Sequence, residues 1–163
     1  EDKKERIAKK CAEFISEDDD IFINSSSTAL LTLKYIKDKR INVITNNATA
    51  LDMDLDAKIS VILTGGKINF PRTALTGTFA MNNLSLVASD ITIIGISGIT
   101  EEGELTTVIL DQVEINSYML EKSTRLNILV CDSSKFSKKA NYKSGDIDQI
   151  DILITYRCLN NNK

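Results

Sequence analysis

The sequence predicts an α/β fold of three layers, in which helices flank a mainly parallel β-sheet. Two observations lead to this fold class. Short runs rich in β-branched residues, apolar at consecutive positions, recur along the chain, and such runs are typical of strands that are buried on both faces of a sheet. Helix-like stretches separate most of these runs, an alternation typical of parallel strands joined by right-handed crossovers.

The elements follow one another in a regular order. The segment 4–15 places Ile7, Cys11, Phe14 and Ile15 on one face of an amphipathic helix. The predicted strands are 21–23, 42–45, 59–64, 91–97, 126–131 and 150–155. The predicted helices between them are 28–37, 47–54, 75–87 and 109–123. At 163 residues the chain is expected to form a single domain, 1–163, with one core.

Composition excludes several classes of function. A net charge of -3 argues against nucleic-acid binding by this chain itself. Histidine is absent, and there is no CxxC pair, so imidazole-based catalysis and a metal site are not expected. No apolar run approaches the roughly 18 residues of a membrane span. We therefore expect a cytoplasmic protein without a cofactor, whose three cysteines, Cys11, Cys131 and Cys158, are reduced thiols.

The loops that follow the predicted strands are the candidate ligand-binding segments, because open parallel sheets bind ligands at the carboxyl ends of their strands. Most of them combine Gly, Ser, Thr or Asn with little apolar content, and together they are typical of the rim of a polar site. These loops are 24–28, 45–47, 64–73, 97–107 and 132–136.

The loop 24–28, with the sequence NSSST, stands at the junction between a strand and a helix. Ser25, Ser26, Ser27 and Thr28 could offer hydroxyl donors beside a helix N-terminus, where backbone amides and the helix dipole favour an anion. The same residues could serve only as a helix cap in a tight turn. From this loop alone, phosphate binding and capping are equally good interpretations.

The other loops are less specific. Gly65 and Gly66, with Lys67 beside them, allow close approach of a ligand or form a simple turn. They do not make a Walker loop, and no GxGxxG pattern occurs, so nucleotide cofactors are disfavoured. Thr106 and Thr107 precede a predicted helix. They could cap this helix, or their side chains could face a ligand.

The segment CDSSKF ends a very apolar strand with Asp132 and Lys135. A lysine at this place can hold a phosphate or a sugar oxygen as a point charge. The aspartate could orient the lysine or act as a base. The simpler interpretation is an exposed salt bridge, worth about 0–1 kcal/mol.

Taken in order, these motifs resemble the C-terminal sensor domain of DeoR-family bacterial transcriptional regulators over almost the whole chain. The resemblance is carried by IFINSSSTA, VITNN, VILTGGKI, ALTG, GISGITEEGELTT with SYML, CDSSKF and IDILIT. It implies a ribose 5-phosphate isomerase/NagB-like fold and a phosphorylated sugar effector. It also implies a homo-oligomeric fragment of a longer repressor, which contacts DNA through an N-terminal winged helix-turn-helix and has no membrane association.

The resemblance implies that Ser25 to Thr28 hold the phosphate, and that Asn46, Lys67, Thr106 and Lys135 reach the sugar. The sequence departs from the family pattern at two places. Ser26 replaces the glycine of an Asp-x-Gly-Thr-Thr turn. The family's Glu-Glu-Ala and the Lys-Arg that follows it are here Asp111, Gln112, Val113, Asn116 and Ser117.

Two other functions remain open at this stage. The first is a sugar-phosphate isomerase, with Asp132 or Asp111 as the base of an enediol mechanism and Lys135 as the electrophilic partner. The departures described above deplete its acid and base groups. The second is an oligomerisation module with an empty pocket. In this module the loop 24–28, called the hydroxyl loop below, would serve only as a helix cap.

Overall fold

The computed structural model describes residues 3–157. The strands in chain order are β1 (Asp20–Ile23), β2 (Ile41–Thr45), β3 (Ile59–Leu63), β4 (Lys67–Asn69), β5 (Ala74–Thr76), β6 (Ser89–Ile94), β7 (Gly98–Ile99), β8 (Glu104–Thr107), β9 (Ser123–Val130), β10 (Tyr142–Asp146) and β11 (Ile152–Ile154). The α-helices are α1 (Lys3–Ala12), α2 (Ser27–Leu31), α3 (Thr78–Leu84) and α4 (Gln112–Glu121). Shorter 3-10 helices cover Thr32–Tyr35, Ala48–Asp52, Ser133–Lys135 and Ile147–Gln149.

The central sheet has six strands in the order β3-β2-β1-β6-β9-β11. All of its neighbouring pairs are parallel, and Ile21 of β1 pairs with Val43 on one side and Ile91 on the other. The chain builds outward from β1 to β3 and then returns to the other side of β1 with β6. The carboxyl ends of β1 and β6 therefore form the switch point, where open α/β sheets form a crevice.

Helices cover the two faces of this sheet. On one face, α1, α2 and the 3-10 helix after it pack on alternate strand residues such as Ile21, Ile23 and Val43. On the other face, α3 and α4 pack against Phe22 and Ile44. Because the strand residues on both faces are buried, the strands have the consecutive apolar residues seen in the sequence. The predicted three-layer fold is confirmed.

Two small antiparallel sheets were not predicted from the sequence. The strands β4 and β5 form a hairpin, and β7, β8 and β10 form a sheet in the order β10-β8-β7. Their members are two to five residues long and include Lys67, Asn69 and Gly98. Such short polar segments lack the apolar runs by which the central strands were recognised.

The predicted helices are shorter in the structure. Over 28–37 the chain forms α2 and then a 3-10 helix, while 47–54 contains only the 3-10 helix Ala48–Asp52. The prediction over 75–87 was wrong at its start, where β5 pairs with β4 before Gly77 opens α3 with a φ of 89°. Cys11 and Cys131 are buried free thiols, and Cys158 lies outside the described residues. Within residues 3–157, no helix has the length and apolar character needed to cross a bilayer.

Candidate functional site

A cavity of about 550 Å³ opens over the carboxyl ends of the parallel strands. This volume lies within the range of small-molecule sites, roughly 300–1,000 Å³. Its walls come from the loops after β1, β2, β6 and β9, together with the turn of the β4–β5 hairpin. Predicted site residues that line it are Ser25, Ser26, Ser27, Thr28, Thr107, Asp132 and Lys135.

One hydroxyl of the hydroxyl loop caps a helix, and the other three line the cavity without taking part in the cap. Ser26 is the N-cap of α2, and its Oγ accepts a hydrogen bond of 3.2 Å from the backbone N–H of Ala29. The side chains of Ser25, Ser27 and Thr28 are not used for this cap. Since α2 has only five residues, a long helix dipole does not contribute here, and an anion in the cavity would have to be held by hydroxyls and cations.

The buried side chain of Asn24 fixes the position of the loop 24–28, which forms one wall of the cavity. Its Oδ1 accepts hydrogen bonds from the backbone N–H groups of Ser26 and Gly95, at 3.2 and 3.1 Å. Its Nδ2 donates to the carbonyl oxygen of Gly95 at 2.9 Å and to Oδ1 of Asn116 at 3.0 Å. One buried amide thus joins the ends of β1 and β6 to helix α4. The sequence analysis did not single out this residue.

Gly95 lets the two loops at the switch point approach each other closely. A Cβ atom at this position would overlap Cβ and Oγ of Ser26. The absence of a side chain is therefore required for the capped geometry of the hydroxyl loop.

Charged groups around the cavity are mostly positive. Of the residues in 3–157, Lys4, Arg72, Lys135 and the carboxylate of Asp132 line it. Lys4 extends from α1 and donates a hydrogen bond of 3.2 Å to Oγ of Ser27. The charged side chains described at the cavity are thus mainly cationic, although the whole chain has a net charge of -3.

Asp132 is held by its own turn. Its Oδ1 accepts hydrogen bonds from the hydroxyl and from the backbone N–H of Ser134, the latter at 2.8 Å. The hydroxyl hydrogen bond, and to a lesser degree the nearby Lys135, hold the pKa of Asp132 below its usual value. The carboxylate is therefore charged at neutral pH.

Cys131 also lines the cavity, but its thiol is not activated. Burial raises its pKa to about 11, so the thiolate is scarce at neutral pH. Within residues 3–157, no cluster of histidine, cysteine, aspartate and glutamate side chains could hold a metal ion.

The β4–β5 turn forms the wall over the end of β2. The carbonyl of Thr73 accepts a hydrogen bond of 2.8 Å from the backbone N–H of Ala48. The hydroxyls of Thr49 and Thr73 also lie 2.5 Å apart. Arg72 is exposed at this turn and lines the cavity. Its place at the cavity could not be predicted from the sequence, because Arg72 lies in a turn without periodicity.

Five predicted site residues are not among those that line the cavity. Asn46 is buried and donates from Nδ2 to the carbonyl of Leu75 at 3.1 Å. Thr106 is also buried, and its Oγ1 donates to the carbonyl of Gly98 at 2.9 Å. The remaining three, in the loop after β3, are Gly65, Gly66 and Lys67.

That loop serves packing instead. Gly65 and Gly66 have φ angles of 71° and 116°, and a Cβ on Gly66 would come within 2.6 Å of the carbonyl oxygen of Thr76. Helix α3 occupies the adjacent space, since Asn83 donates from Nδ2 to the carbonyl of Thr64 at 2.7 Å. Lys67 is exposed on β4.

Comparison with known protein families shows to which family this chain belongs. The family model described as the DeoR C terminal sensor domain matches residues 1–157. The chain belongs to the DeoR sensor-domain family. This agrees with the family resemblance of its motifs.

Curated relatives of this DeoR sensor domain are transcriptional regulators. It is 29% identical to the HTH-type transcriptional regulator GolR of Listeria innocua, covering 98% of this chain and 63% of the relative. It is 28% identical to the glycerol-3-phosphate regulon repressor of Escherichia coli, covering 94% and 62%. It is 32% identical to the regulator UlaR of Shigella dysenteriae, covering 94% and 61%. The chain thus spans less than two thirds of these relatives.

Solved structures show the same fold at low identity. Ribose 5-phosphate isomerase A of Methanocaldococcus jannaschii matches with a TM-score of 0.57 and 14% identity, over 82% of this chain and 53% of that one. The eIF2B delta subunit of Chaetomium thermophilum matches with a TM-score of 0.63 and 17% identity, over 93% and 54%. These likenesses confirm the isomerase-like α/β fold.

Two of the departures from the family pattern, Gln112 and Asn116, form amide pairs in this sensor domain. Gln112 accepts at Oε1 from Nδ2 of Asn46 at 3.2 Å, and Asn116 accepts from Asn24. All four side chains are buried. Neutral amide pairs therefore hold α4 against the strand ends.

Proposed function

We propose that this domain binds a phosphorylated sugar or a related phosphorylated metabolite in the cavity over the strand ends. Binding would control DNA contact by an N-terminal domain of a longer repressor. The observation that carries the proposal is the combination of hydroxyl groups and unequal charge in one cavity. Among residues 3–157, the cations Lys4, Arg72 and Lys135 and one carboxylate, that of Asp132, line it, in a chain of net charge -3.

The hydroxyl loop supplies groups that suit a phosphate. Ser25, Ser27 and Thr28 offer hydroxyls that the N-cap does not use. The backbone N–H groups of Ser27 and Thr28 occupy the first positions of α2, where a helix has no internal acceptor for them. Lys4 reaches the same loop through Ser27, and Lys135 enters from the turn after β9. A phosphate monoester carries about -1.5 to -2 charges at pH 7, so lysine side chains and hydroxyl donors suit it.

The names of the relatives support the same ligand class. One relative is named a glycerol-3-phosphate regulon repressor, and this name supports a phosphorylated metabolite as the ligand class. We propose that the present domain senses such a compound as an inducer in the cytoplasm. The ligand would then shift the balance between two arrangements of the regulator, by no more than its differential affinity for them.

We further propose that the domain binds its ligand without turning it over. An isomerase needs a free base and a positioned acid. Among the described residues, Asp132 is the one carboxylate that lines the cavity, and its Oδ1 is occupied by Ser134. Asp111, the other candidate base, is exposed and does not line the cavity. Conversion of aldose phosphate to ketose phosphate by the pure domain would contradict this part of the proposal.

Self-association is part of the same proposal. Phe79 and Leu86 lie seven residues apart, in α3 and just beyond its end, and are 78% and 80% exposed. Large apolar side chains in this position are typical of a protein interface. Sedimentation analysis should show a dimer or a larger oligomer, which Phe79→Ser weakens if this face is used. A monomer at all concentrations would contradict self-association without affecting the ligand proposal.

The direct test is a binding screen with sugar phosphates beside the matching unphosphorylated sugars. A ligand at 100 times its dissociation constant stabilises the folded state by about 2.7 kcal/mol. For a domain of this size this corresponds to a rise in Tm of about 5–10 °C. A shift that requires the phosphate and is lost in Lys135→Gln supports the proposal. Equal shifts with and without the phosphate, or none with any phosphorylated compound, would contradict it.

A further inference from the structure

We propose that Asn116 determines which phosphorylated compounds the domain binds, by donating a hydrogen bond from its side-chain amide to a carbonyl oxygen of the effector. The effector would then be a sugar phosphate with a free carbonyl group rather than the phosphate of a sugar alcohol. This inference rests on the proposed function and specifies the ligand of the same cavity. It follows from the hydrogen bonds that fix the orientation of Asn116.

The orientation of the Asn116 amide is set by its neighbour Asn24. Oδ1 of Asn24 accepts hydrogen bonds from the backbone N–H groups of Ser26 and Gly95, at 3.2 and 3.1 Å. Backbone N–H groups only donate, so this end of the Asn24 side chain is the oxygen. Its Nδ2 therefore needs an acceptor in Asn116, and Oδ1 of Asn116 lies 3.0 Å from it. The amide nitrogen of Asn116 is left on the side away from Asn24.

This amide nitrogen is open to the cavity. Asn116 lines the cavity although only 2% of its surface is exposed. Within residues 3–157, Nδ2 of Asn116 has no hydrogen-bond partner. The fully enclosed side-chain atoms without a partner in this range are Oγ1 of Thr32, Oδ1 of Asn46, Nε2 of Gln112 and Oδ1 of Asn127. Nδ2 of Asn116 is not one of them, so a ligand in the cavity can reach it and satisfy it.

Asn47 shows the same arrangement in the wall after β2. It is 3% exposed and lines the cavity. Its Oδ1 accepts from the backbone N–H of Thr49 at 3.1 Å, and its Nδ2 has no partner among the residues that the structure describes. Two buried amides of the wall thus offer only donors to a ligand, because the oxygen of each is already bonded to the protein.

A carbonyl oxygen suits such a donor better than a hydroxyl group does. The carbonyl oxygen only accepts, so it satisfies the Asn116 amide and requires no further partner. A hydroxyl can accept from the same amide, but its own proton then needs an acceptor, which neither amide oxygen provides. A buried donor without an acceptor weakens binding. The amide is also neutral, so it matches an uncharged oxygen better than a second anionic group.

The carbonyl would lie a short distance along the ligand from the phosphate. Asn116 is bonded to Asn24, the first residue of the hydroxyl loop that we propose as the phosphate site. A short sugar chain can therefore place its phosphate at the loop and its carbonyl oxygen at Asn116. Compounds of two chain lengths test this spacing.

Isothermal titration with two matched pairs of compounds tests the inference. The pairs are dihydroxyacetone phosphate with glycerol 3-phosphate, and ribulose 5-phosphate with ribitol 5-phosphate. Within each pair the phosphate and the chain length are the same, and a carbonyl in one member is a hydroxyl in the other. The protein variants are Asn116→Asp, Asn47→Asp and, as a control, Asn82→Asp, which adds the same charge at an exposed position outside the cavity.

We expect at least one carbonyl compound to bind about fivefold or more tightly than its alcohol partner. Asn116→Asp keeps an acceptor for Asn24 but replaces the donor by an acceptor, so it should remove or reverse this preference. Its negative charge weakens both members of a pair, and the ratio of their affinities is therefore the readout. Asn47→Asp should weaken both members by the same factor, and Asn82→Asp should leave both affinities within about twofold.

An NMR measurement on the unmodified domain does not depend on the folding of a variant. The side-chain amide signals of Asn116 should shift when the carbonyl compound binds and shift less with its alcohol partner. If Asn116→Asp does not fold, these signals decide alone.

Two results would overturn the inference. In the first, phosphorylated compounds bind, but the ratio within each pair is close to one or is unchanged by Asn116→Asp, and the Asn116 amide signals stay in place. The phosphate site of the proposed function would then stand without the carbonyl contact. In the second, no phosphorylated compound binds to the folded protein, and the proposed function fails together with the inference.

Discussion

The loops after β1 and β3 look alike in the sequence and differ in the structure. Both follow a parallel strand with a run of small polar residues, NSSST at 24–28 and TGGK at 64–67. The first lines the cavity with the hydroxyls of Ser25, Ser27 and Thr28, which do not take part in the helix cap. The second is filled by helix α3, which packs on Gly66 and bonds to Thr64.

The difference comes from what lies above each loop. At the switch point between β1 and β6, the chain leaves in opposite directions, and the cavity opens over the strand ends. Beside β3, the hairpin β4–β5 leads directly into α3, whose Ala80 lies against the glycines. Small residues at the end of a strand are thus accessible to a ligand only where the topology leaves the space open.

The largest expected effect in this comparison is that of Gly66→Ala. Its φ of 116° is unfavourable for any side chain, and the new Cβ would come within 2.6 Å of the Thr76 carbonyl. We expect a loss of about 3 kcal/mol in the free energy of unfolding, measured by urea denaturation. The affinity of the folded protein for its ligand should be unchanged. A stable variant with weakened binding would mean that this loop, too, serves the ligand.

Gly95→Ala should produce the complementary result at the hydroxyl loop. Its Cβ would overlap Ser26 and displace the loop from the geometry that Asn24 holds. We expect the affinity for the effector to fall by about tenfold or more, with a loss of stability of about 1–3 kcal/mol from overpacking. Titration calorimetry at a temperature where the variant is fully folded measures the first effect. Unchanged affinity would contradict the placement of the ligand at this loop.

Ser26→Ala and Ser27→Ala form a matched pair within one loop. Loss of the Ser26 cap should cost about 1 kcal/mol of stability, since its Oγ accepts from Ala29. Ser27 caps nothing and receives Lys4 at the cavity, so its change should cost less than about 0.5 kcal/mol while weakening effector binding. Thermal unfolding with and without ligand measures both. If the two variants lost the same stability and bound the effector with the same affinity, the hydroxyls of Ser26 and Ser27 would not have different roles.

The smallest effect is expected for Lys67→Gln. This side chain is exposed on β4 and is not part of the cavity wall. Effector affinity and stability should both remain within about 0.5 kcal/mol of the original protein. A loss of binding in calorimetry would show that the ligand extends over the hairpin beyond the cavity.

The sequence was sufficient for the central sheet, because buried parallel strands need consecutive apolar residues. Each of the six runs overlaps one strand of the sheet, although β1, β2, β6 and β9 begin one to three residues earlier than predicted. The hairpin and the second small sheet were missed because segments such as Gly98–Ile99 are too short to show a period. These short strands form because of tertiary contacts, which cannot be recognised from the local sequence pattern.

The candidate site could be predicted only in part, for a similar reason. The hydroxyls of 25–28 were visible because four of them are adjacent in the chain. The role of Asn24 depends on Asn116, which lies 92 positions away. Arg72 reaches the cavity because the hairpin folds over β2. Asn46 and Thr106 were expected in the site and are instead buried in hydrogen bonds to Leu75 and Gly98.

The most direct test of the central claim is an NMR titration of the labelled domain with the tightest phosphorylated compound from the binding screen. Backbone amide signals of residues 25–28 and 132–135 should shift with the phosphate-bearing compound and not with the unphosphorylated sugar. Signals of residues 65–67 should stay in place. Phosphate-dependent shifts confined to residues 65–67, with the hydroxyl loop unmoved, would contradict the account.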